Sequence, residues 1–316
     1  MKTKTGQNRI SLYINKFIVL IVIISMTICL TCKNEKRTRI DFTNTIKIQS
    51  SDTVLNNEMY IGVAAMLSPQ NALPAYEEIV EYLGSKLNKK TKMIFTQNYA
   101  SMNEMVRTKK VLAAFVCSGP YVTAHDKWGM ELIAAPSLYN YPYYYSYILV
   151  NKKSQIKTFA DLEGKKFAFT DPKSNTGTLV PKYELALMNR KPENYFSEFI
   201  YTGSHDKSIE AVANNLVDGA AVDHLIWEYI NRKDSSVTSK TKVIKKLGPF
   251  CIPPFVMPPD VSQSLKDSIK HILLNMHLDP KGKKILDKLY IEEFIEVDDE
   301  CYQSIREMEN WIKNNN

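Results

Sequence analysis

Short, almost uninterrupted apolar runs recur along this chain, and helix-patterned stretches separate them. Tyr60-Ile61-Gly62-Val63-Ala64, Met93-Ile94-Phe95, Val111 to Cys117 and Leu132-Ile133-Ala134-Ala135 come first. A strand wetted on one face alternates polar with apolar residues, whereas a strand buried on both faces need not. Between the first two runs, Ala75 to Leu87 sets Tyr76, Ile79, Val80, Leu83 and Leu87 on one face at helical spacing. Tyr99 to Lys109 reads as the next helix, and the run ending at Cys117 breaks at Ser118-Gly119-Pro120. Strand, helix, strand, helix with continuous strands leaves few architectures open. The expectation is an α/β fold whose sheets are mainly parallel and flanked by helices on both faces.

The pattern then starts again. After a long β-prone run, Tyr143 to Val150, and polar Lys152 to Gly164, a second set begins at Lys166-Phe167-Ala168-Phe169. It continues through a helix from Thr178, Phe199-Ile200-Tyr201, a helix Asp206 to Asn215, Gly219 to Val222, a helix His224 to Asn231 and a strand Val243 to Leu247. Proline-rich IPPFVMPP follows, then helices over Ser262 to His277, Lys281 to Leu289 and Glu300 to Ile312. A chain of 316 residues is long enough for two cores. The expected organisation is a first lobe of residues 58–147 and 247–316, with a second lobe, 148–246, inserted at crossings near Ser146 and Leu247. A ligand would sit in the crevice between them, at the strand ends.

The N-terminus reads as an address. Residues 1–31 hold Lys2, Lys4, Arg9 and Lys16 and no acid, so they account for four of the seven excess positive charges. The remaining lysine pairs, such as Lys89-Lys90 and Lys245-Lys246, are scattered, which suits a solvated surface and excludes a nucleic-acid footprint. Phe17 to Leu30 is nearly all apolar. As a helix it would rise about 21 Å, short of a hydrocarbon core of roughly 30 Å, which fits an export signal better than a retained anchor. The run ends in Leu30-Thr31-Cys32, which resembles a bacterial lipoprotein signal, although Thr31 and Cys29 depart from its usual residues. The expectation is a signal over 1–31, lipidation of Cys32, a tether over 32–57 and a protein held at the outer face of a bacterial membrane. Plain secretion is the alternative. Cys117 reads as a small core residue. A bridge between Cys251 and Cys301 is compatible with an oxidising compartment, but the sequence does not demand it. The cysteine spacing fits no zinc pattern, and no cofactor or metal is expected.

Three stretches carry the candidate site. Between the Lys166–Phe169 run and the following helix lies Thr170-Asp171-Pro172-Lys173-Ser174-Asn175-Thr176-Gly177-Thr178. A helix N-terminus has about four unsatisfied N–H groups and about half a positive charge. Ser174, Thr176 and Thr178 would add O–H donors there, a nest suited to an oxyanion. The plainer reading is an N-cap, for which one hydroxyl suffices. Gly203-Ser204-His205-Asp206 joins another strand to another helix, and His205 can donate from a ring nitrogen or simply sit at a surface cap. Asp223 follows Gly219-Ala220-Ala221-Val222 and faces either the crevice or the helix it would cap. Ser, His and Asp together invite a hydrolase reading, but the chain has no G-x-S-x-G elbow, and it also lacks Walker, dinucleotide and H-E-x-x-H motifs.

Together these stretches resemble the periplasmic phosphonate-binding proteins of ABC importers over residues 58–300. The family's DLKGK-like turn and D-P-x-S-x-S-G segment are matched by Asp161 to Lys165 and Asp171 to Gly177. Its G-S-H-D and EAV…VDAAAVD segments are matched by Gly203 to Asp206 and by Glu210 to Asp223. The resemblance implies a two-lobe hinged periplasmic-binding-protein fold of the second topological type, and a role in capture rather than catalysis. The ligand would be a small phosphorus oxyanion, delivered to a membrane permease by a monomeric receptor. It implies that Ser174, Asn175, Thr176, Gly177, Thr178 and His205 hold the oxyanion, with donors including the amides of Gly177 and Thr178. Asp223 would face the substituent on phosphorus, and Tyr99, Tyr121 and Tyr145 would close over the ligand with Ser118 and Ser146 nearby. Thr176 stands where the family pattern has a second serine, and Asp223 is the one clear carboxylate for an amino group. A sulfonate or vitamin-precursor receptor, or a sensor module of the same fold, are the alternatives.

Overall fold

A computed structural model describes residues 58–138 and 141–315. The expected signal, the expected tether and Cys32 lie outside the described residues. The chain enters on β1 (Glu58–Ala64), α1 (Pro69–Leu87), β2 (Lys90–Thr96), α2 (Tyr99–Arg107), β3 (Ala113–Phe115), α3 (Ser118–Trp128) and β4 (Glu131–Ser137). It crosses on β5 (Tyr143–Asn151) to β6 (Lys166–Phe169), α4 (Val180–Leu187), β7 (Glu198–Tyr201), α5 (His205–Ala213), β8 (Gly219–Asp223) and α6 (His224–Lys233). It returns on β9 (Thr241–Cys251) and finishes with β10 (Phe255–Met257), α7 (Gln263–Leu274), α8 (Pro280–Lys288), β11 (Glu293–Ile295) and α9 (Gln303–Asn315).

Two sheets result. The first has the order β11-β4-β10-β3-β1-β2, and the second β7-β6-β8-β5-β9. β1 pairs in parallel with β2 and β3, and β6 in parallel with β7 and β8. β10 runs antiparallel to β3 and β4, and β5 runs antiparallel to β8 and β9. The second sheet shows why its strands lack alternation. Ile148, Phe167, Phe169 and Ala221 are buried in one cluster, while Leu149, Ala168, Ala220 and Val222 are buried in another. Both faces are covered, so both parities are apolar.

β5 and β9 pass between the two cores side by side. Tyr144, Phe250 and Cys251 pack with the first sheet, whereas Ile148 and Val150 pack with the second. Ser146 lies opposite Leu247, and the register slips between Tyr144 and Ser146. A disulfide joins Cys251, at the end of β9, to Cys301, just before α9. Cys117 is free and buried.

Three elements depart from the sequence expectation. The strand is shorter than the expected Val111 to Cys117 run, Ala113–Phe115, and Ser118-Gly119-Pro120, where the run was expected to break, opens α3. Proline is tolerated in a first helical turn because its missing N–H would have no partner there. The proline-rich stretch contains β10, whose three residues are all buried in the middle of the first sheet. Prolines on both sides limit its length. β9 extends from Thr241 to Cys251, beyond the expected Val243 to Leu247.

Candidate functional site

Two turns of the second lobe meet beside the end of β8. In the first, β6 leads through Thr170 and Asp171 into a π-type turn, Asn175–Leu179, that runs on into α4. Single π-type turns are frequent at functional sites. This one is held from several sides. The Ser174 hydroxyl accepts the Gly177 N–H at 3.1 Å, and the Thr178 hydroxyl donates to the Asp171 carbonyl at 2.8 Å. From β5, Ser146 donates to the Thr176 carbonyl at 2.6 Å, and the Asn175 amide donates to the Tyr144 hydroxyl at 3.0 Å. Gly177 permits the packing: a Cβ there would lie 2.3 Å from Thr170 Oγ1 and 3.1 Å from His205 Cε1.

The second turn places His205 at the start of α5, 1% exposed. Its Nδ1 accepts the Asp223 backbone N–H at 3.0 Å. An amide can only donate, so the proton of the neutral ring sits on Nε2. Burial drives the ring pKa down to about 3, with Asp206 pulling weakly the other way. His205 is therefore a neutral N–H donor at physiological pH. Asp223 caps α6, accepting the Leu225 N–H at 2.8 Å. Its own burial raises its pKa to about 7, against the pull of the Leu225 and Ile226 amides.

The first lobe closes over these turns. The Asp171 carboxylate accepts the Tyr99 N–H at 3.1 Å, and Asp206 accepts the Ser68 N–H at 3.0 Å. The His205 N–H donates to the Met66 carbonyl at 3.2 Å. Gly119 lies against Lys173 and Asn175, where a Cβ would come within 2.8 Å of the Lys173 carbonyl. Burial raises the phenols of Tyr76, Tyr99 and Tyr144, and the negative charge of Asp223 adds to the shift in each.

Among the described residues, four buried side chains of this region keep a polar atom with no hydrogen-bond partner: Tyr99 Oη, Thr176 Oγ1, Ser204 Oγ and Asn175 Oδ1. A buried, unpaired polar atom costs about 1–3 kcal/mol, so such a group in a native fold calls for a specific explanation. Three of these four are hydroxyls that can donate.

The structure brings Ser174, Asn175, Thr176, Gly177, Thr178, His205, Asp223 and Tyr99 together, with Ser118 and Ser146 behind them. Several expected roles change. The Gly177 amide is taken by Ser174, and the Thr178 hydroxyl is turned into its own loop. Ser146 and Ser118 spend their protons on the carbonyls of Thr176 and Cys251, so they brace the site and do not offer donors. Tyr121 does not close over the crevice; its hydroxyl donates to Asp299 at 2.8 Å, and its ring packs on Tyr302. Tyr145 also faces away, its ring packed on His224 and capped by the Lys246 ammonium 3.6 Å from the centroid. Strand alternation puts Tyr144, not Tyr145, on the inner face. Tyr144, Ser204 and Tyr76 were missed. Ser204 sits inside the G-S-H-D motif, and Tyr76 on the helix face that was read only as core.

The fold defines a two-lobe α/β protein of the periplasmic-binding class. Residues 61–302 match the family of ABC transporter phosphonate periplasmic substrate-binding proteins, and the chain belongs to that family. It is similar to the phosphonates-binding periplasmic protein of Escherichia coli K12, 29% identical over 237 residues, or 72% of this chain and 69% of that one. A probable ABC transporter phosphite-binding protein from Prochlorococcus marinus (strain MIT 9301) is 23% identical over 52% of this chain and 59% of its own length. Among solved structures, a binding protein component of an ABC phosphonate transporter from Pseudomonas aeruginosa superposes with a TM-score of 0.77 and 25% identity. That match covers 82% of this chain and 87% of the other. The Prochlorococcus protein PhnD1 in complex with methylphosphonate gives a TM-score of 0.75 and 20% identity, covering 81% and 98%.

Proposed function

We propose that this chain is the extracytoplasmic receptor of an ABC importer, and that it captures a small phosphorus oxyanion between its lobes and hands it to a membrane permease. The observation that carries the reading is the set of buried, unpartnered hydroxyls, Tyr99, Thr176 and Ser204, beside the neutral Nε2–H of His205. With the Ser174 proton, which remains free when its oxygen accepts Gly177, they supply neutral donors to an anion. Hydrogen bonds to a charged acceptor are roughly twice as strong as neutral ones, so such a ring binds firmly without a buried lysine. Asn175 Oδ1 and Asp223 are acceptors that suit a protonated phosphorus oxygen.

The same groups argue against hydrolysis. His205 Nδ1 takes the Asp223 amide and not its carboxylate, and the Ser174 oxygen caps a helix, so no base-activated nucleophile is assembled. The two crossing strands at Ser146 and Leu247 serve as the hinge between the lobe of residues 58–147 and 247–316 and that of residues 148–246. Anchoring through a lipidated Cys32 and action as a monomer complete the reading.

The test is a thermal-shift and calorimetric panel of phosphite, methylphosphonate, phosphate and sulfate. A ligand at 100 times its Kd adds about 2.7 kcal/mol to stability. The expected result is a clear rise in melting temperature with a phosphorus oxyanion and none with sulfate. Silence across the phosphorus compounds would return the hydroxyl cluster to the role of a helix cap.

A further inference from the structure

Helix α9 reaches from one core to the other. Its buried Ile305 and Met308 belong to the core of the first sheet. Its base is fixed there: the disulfide joins Cys301 to Cys251 on β9, and the Tyr302 hydroxyl donates to the Ile252 carbonyl at 2.9 Å. Its flank is fixed by Arg306, which donates to Asp126 of α3 at 2.7 Å and to Asp299 at 2.8 Å. The far end of α9 nevertheless packs on α4, the helix that continues the π-type turn. There the Trp311 and Tyr183 rings meet edge-to-face at 5.5 Å. α4 is shared in the same way. Leu179, Val180 and Tyr183 pack with the first core, whereas Leu185 is buried in the second. On the other side of the turn, the Lys173 ammonium acts on the half-buried Glu309 carboxylate, which also accepts the Thr123 hydroxyl at 3.5 Å.

These contacts lie on the closing side of the molecule. α9 rides on α3, and α3 is the helix whose Gly119 meets the Lys173 carbonyl. A parting of the lobes that lifts Gly119 from Lys173 therefore also draws Trp311 from Tyr183. We propose that α9 is a clasp: Trp311 positions the π-type turn through Tyr183 and biases the receptor toward its closed form. Trp311 is a positioning residue that touches no ligand, so it acts on every ligand alike. The apparent affinity of a receptor scales with the fraction of it that is competent to bind. An edge-to-face aromatic pair with the area it buries is worth roughly a 5- to 30-fold change in such an equilibrium.

The experiment joins small-angle X-ray scattering of the free full chain to titration calorimetry with phosphite and methylphosphonate. Trp311→Ala is expected to raise the radius of gyration of the free protein. It should also weaken both ligands by the same factor, about 5- to 30-fold, and keep their ratio. Tyr183→Ala, made from the opposite side of the contact, should do the same, and the double variant should be no worse than either single one. Trp311→Phe, which keeps an aromatic ring, should restore most of both readouts. If Trp311→Ala does not fold, Tyr183→Ala carries the same test. Unchanged scattering overturns the inference. So does a loss that alters the ratio of the two ligands, because Trp311 would then act on the ligand itself, and so do losses that simply add in the double variant. The affinity arm rests on the oxyanion reading and the scattering arm does not. If the unmodified protein binds neither compound, the oxyanion reading falls and scattering alone decides the clasp.

Discussion

The second lobe brings its groups on two turns whose polar atoms are mostly paired, whereas the first brings long side chains from helices and one strand. Thr170, Ser174, Thr178 and His205 Nδ1 are tied into the second lobe itself, so the few donors left over, at Thr176 and Ser204, are fixed in direction. Tyr99 and Tyr76 arrive from α2 and α1 once the lobes meet. The difference teaches a division of labour. In the proposed reading, rigid donors on one lobe select the oxyanion, and the opposite lobe seals it.

The largest way to break this comparison is Gly177→Ala. The added Cβ would lie 2.3 Å from Thr170 Oγ1, so the turn must shift away from Thr170 and His205. Overpacking of this kind costs about 1–3 kcal/mol of stability. Oxyanion affinity is expected to drop more than about 100-fold, because several fixed donors move together. Retained affinity with a lowered melting temperature would mean that the ring does not depend on this turn.

A smaller, sharper test compares one hydroxyl from each lobe. Thr176→Val and Tyr99→Phe each delete a buried oxygen that has no partner. A hydrogen bond to a charged group contributes about 1.5–3 kcal/mol, so each should weaken binding about 10- to 100-fold. Thr176→Val should be the larger of the two, because its donor is the more fixed. Neither should lower the melting temperature of the free protein, since an unpaired polar atom is replaced by an apolar one. A drop in stability without loss of affinity would identify these residues as structural.

The last test is in pH. Burial raises Asp223 from 3.8 to about 7, so the stability linked to its protonated form is complete below about pH 4 and is lost as pH rises through 7. Burial lowers His205 from 6.5 to about 3, so the stability linked to its neutral form is complete above pH 6.5 and is lost as pH falls toward 3. The two slopes oppose one another between pH 4 and 6.5. Asp223→Asn keeps a capping side chain and removes the first slope. Its melting temperature relative to the unmodified protein should therefore climb from pH 4 to pH 8, and a constant difference would show that Asp223 ionises freely.

Much of this was legible because the strands are buried on both faces. Phe167 to Phe169 and Gly219 to Val222 read as strands without any fold in hand, and the residues that follow them include Thr176 and Asp223. The tyrosines were not legible in the same way. In Tyr143-Tyr144-Tyr145-Ser146-Tyr147 every second residue is a candidate, and choosing between Tyr144 and Tyr145 needs the pairing of β5 with β9, which is set by residues about a hundred positions away. Tyr121 was credited to the crevice by resemblance, and the partner that holds it instead, Asp299, lies far along the chain. Ser118, Ser146 and Thr178 show the general limit: a sequence tells which hydroxyls are present, but only the fold tells which ones have already given up their protons.

The paired crossing of β5 and β9 has a mechanical consequence. A single strand between two bodies would act as a swivel, free to bend and twist. Two strands paired from Tyr143 to Asn151 form a ribbon whose hydrogen-bond ladder resists sliding of one strand along the other. The register slip between Tyr144 and Ser146 is where a bend is most easily absorbed, because Tyr145 N–H bonds to His224 and not to β9. In the proposed reading the lobes therefore close about this crossing and do not slide past one another, and a permease docked on both would sense the angle between them.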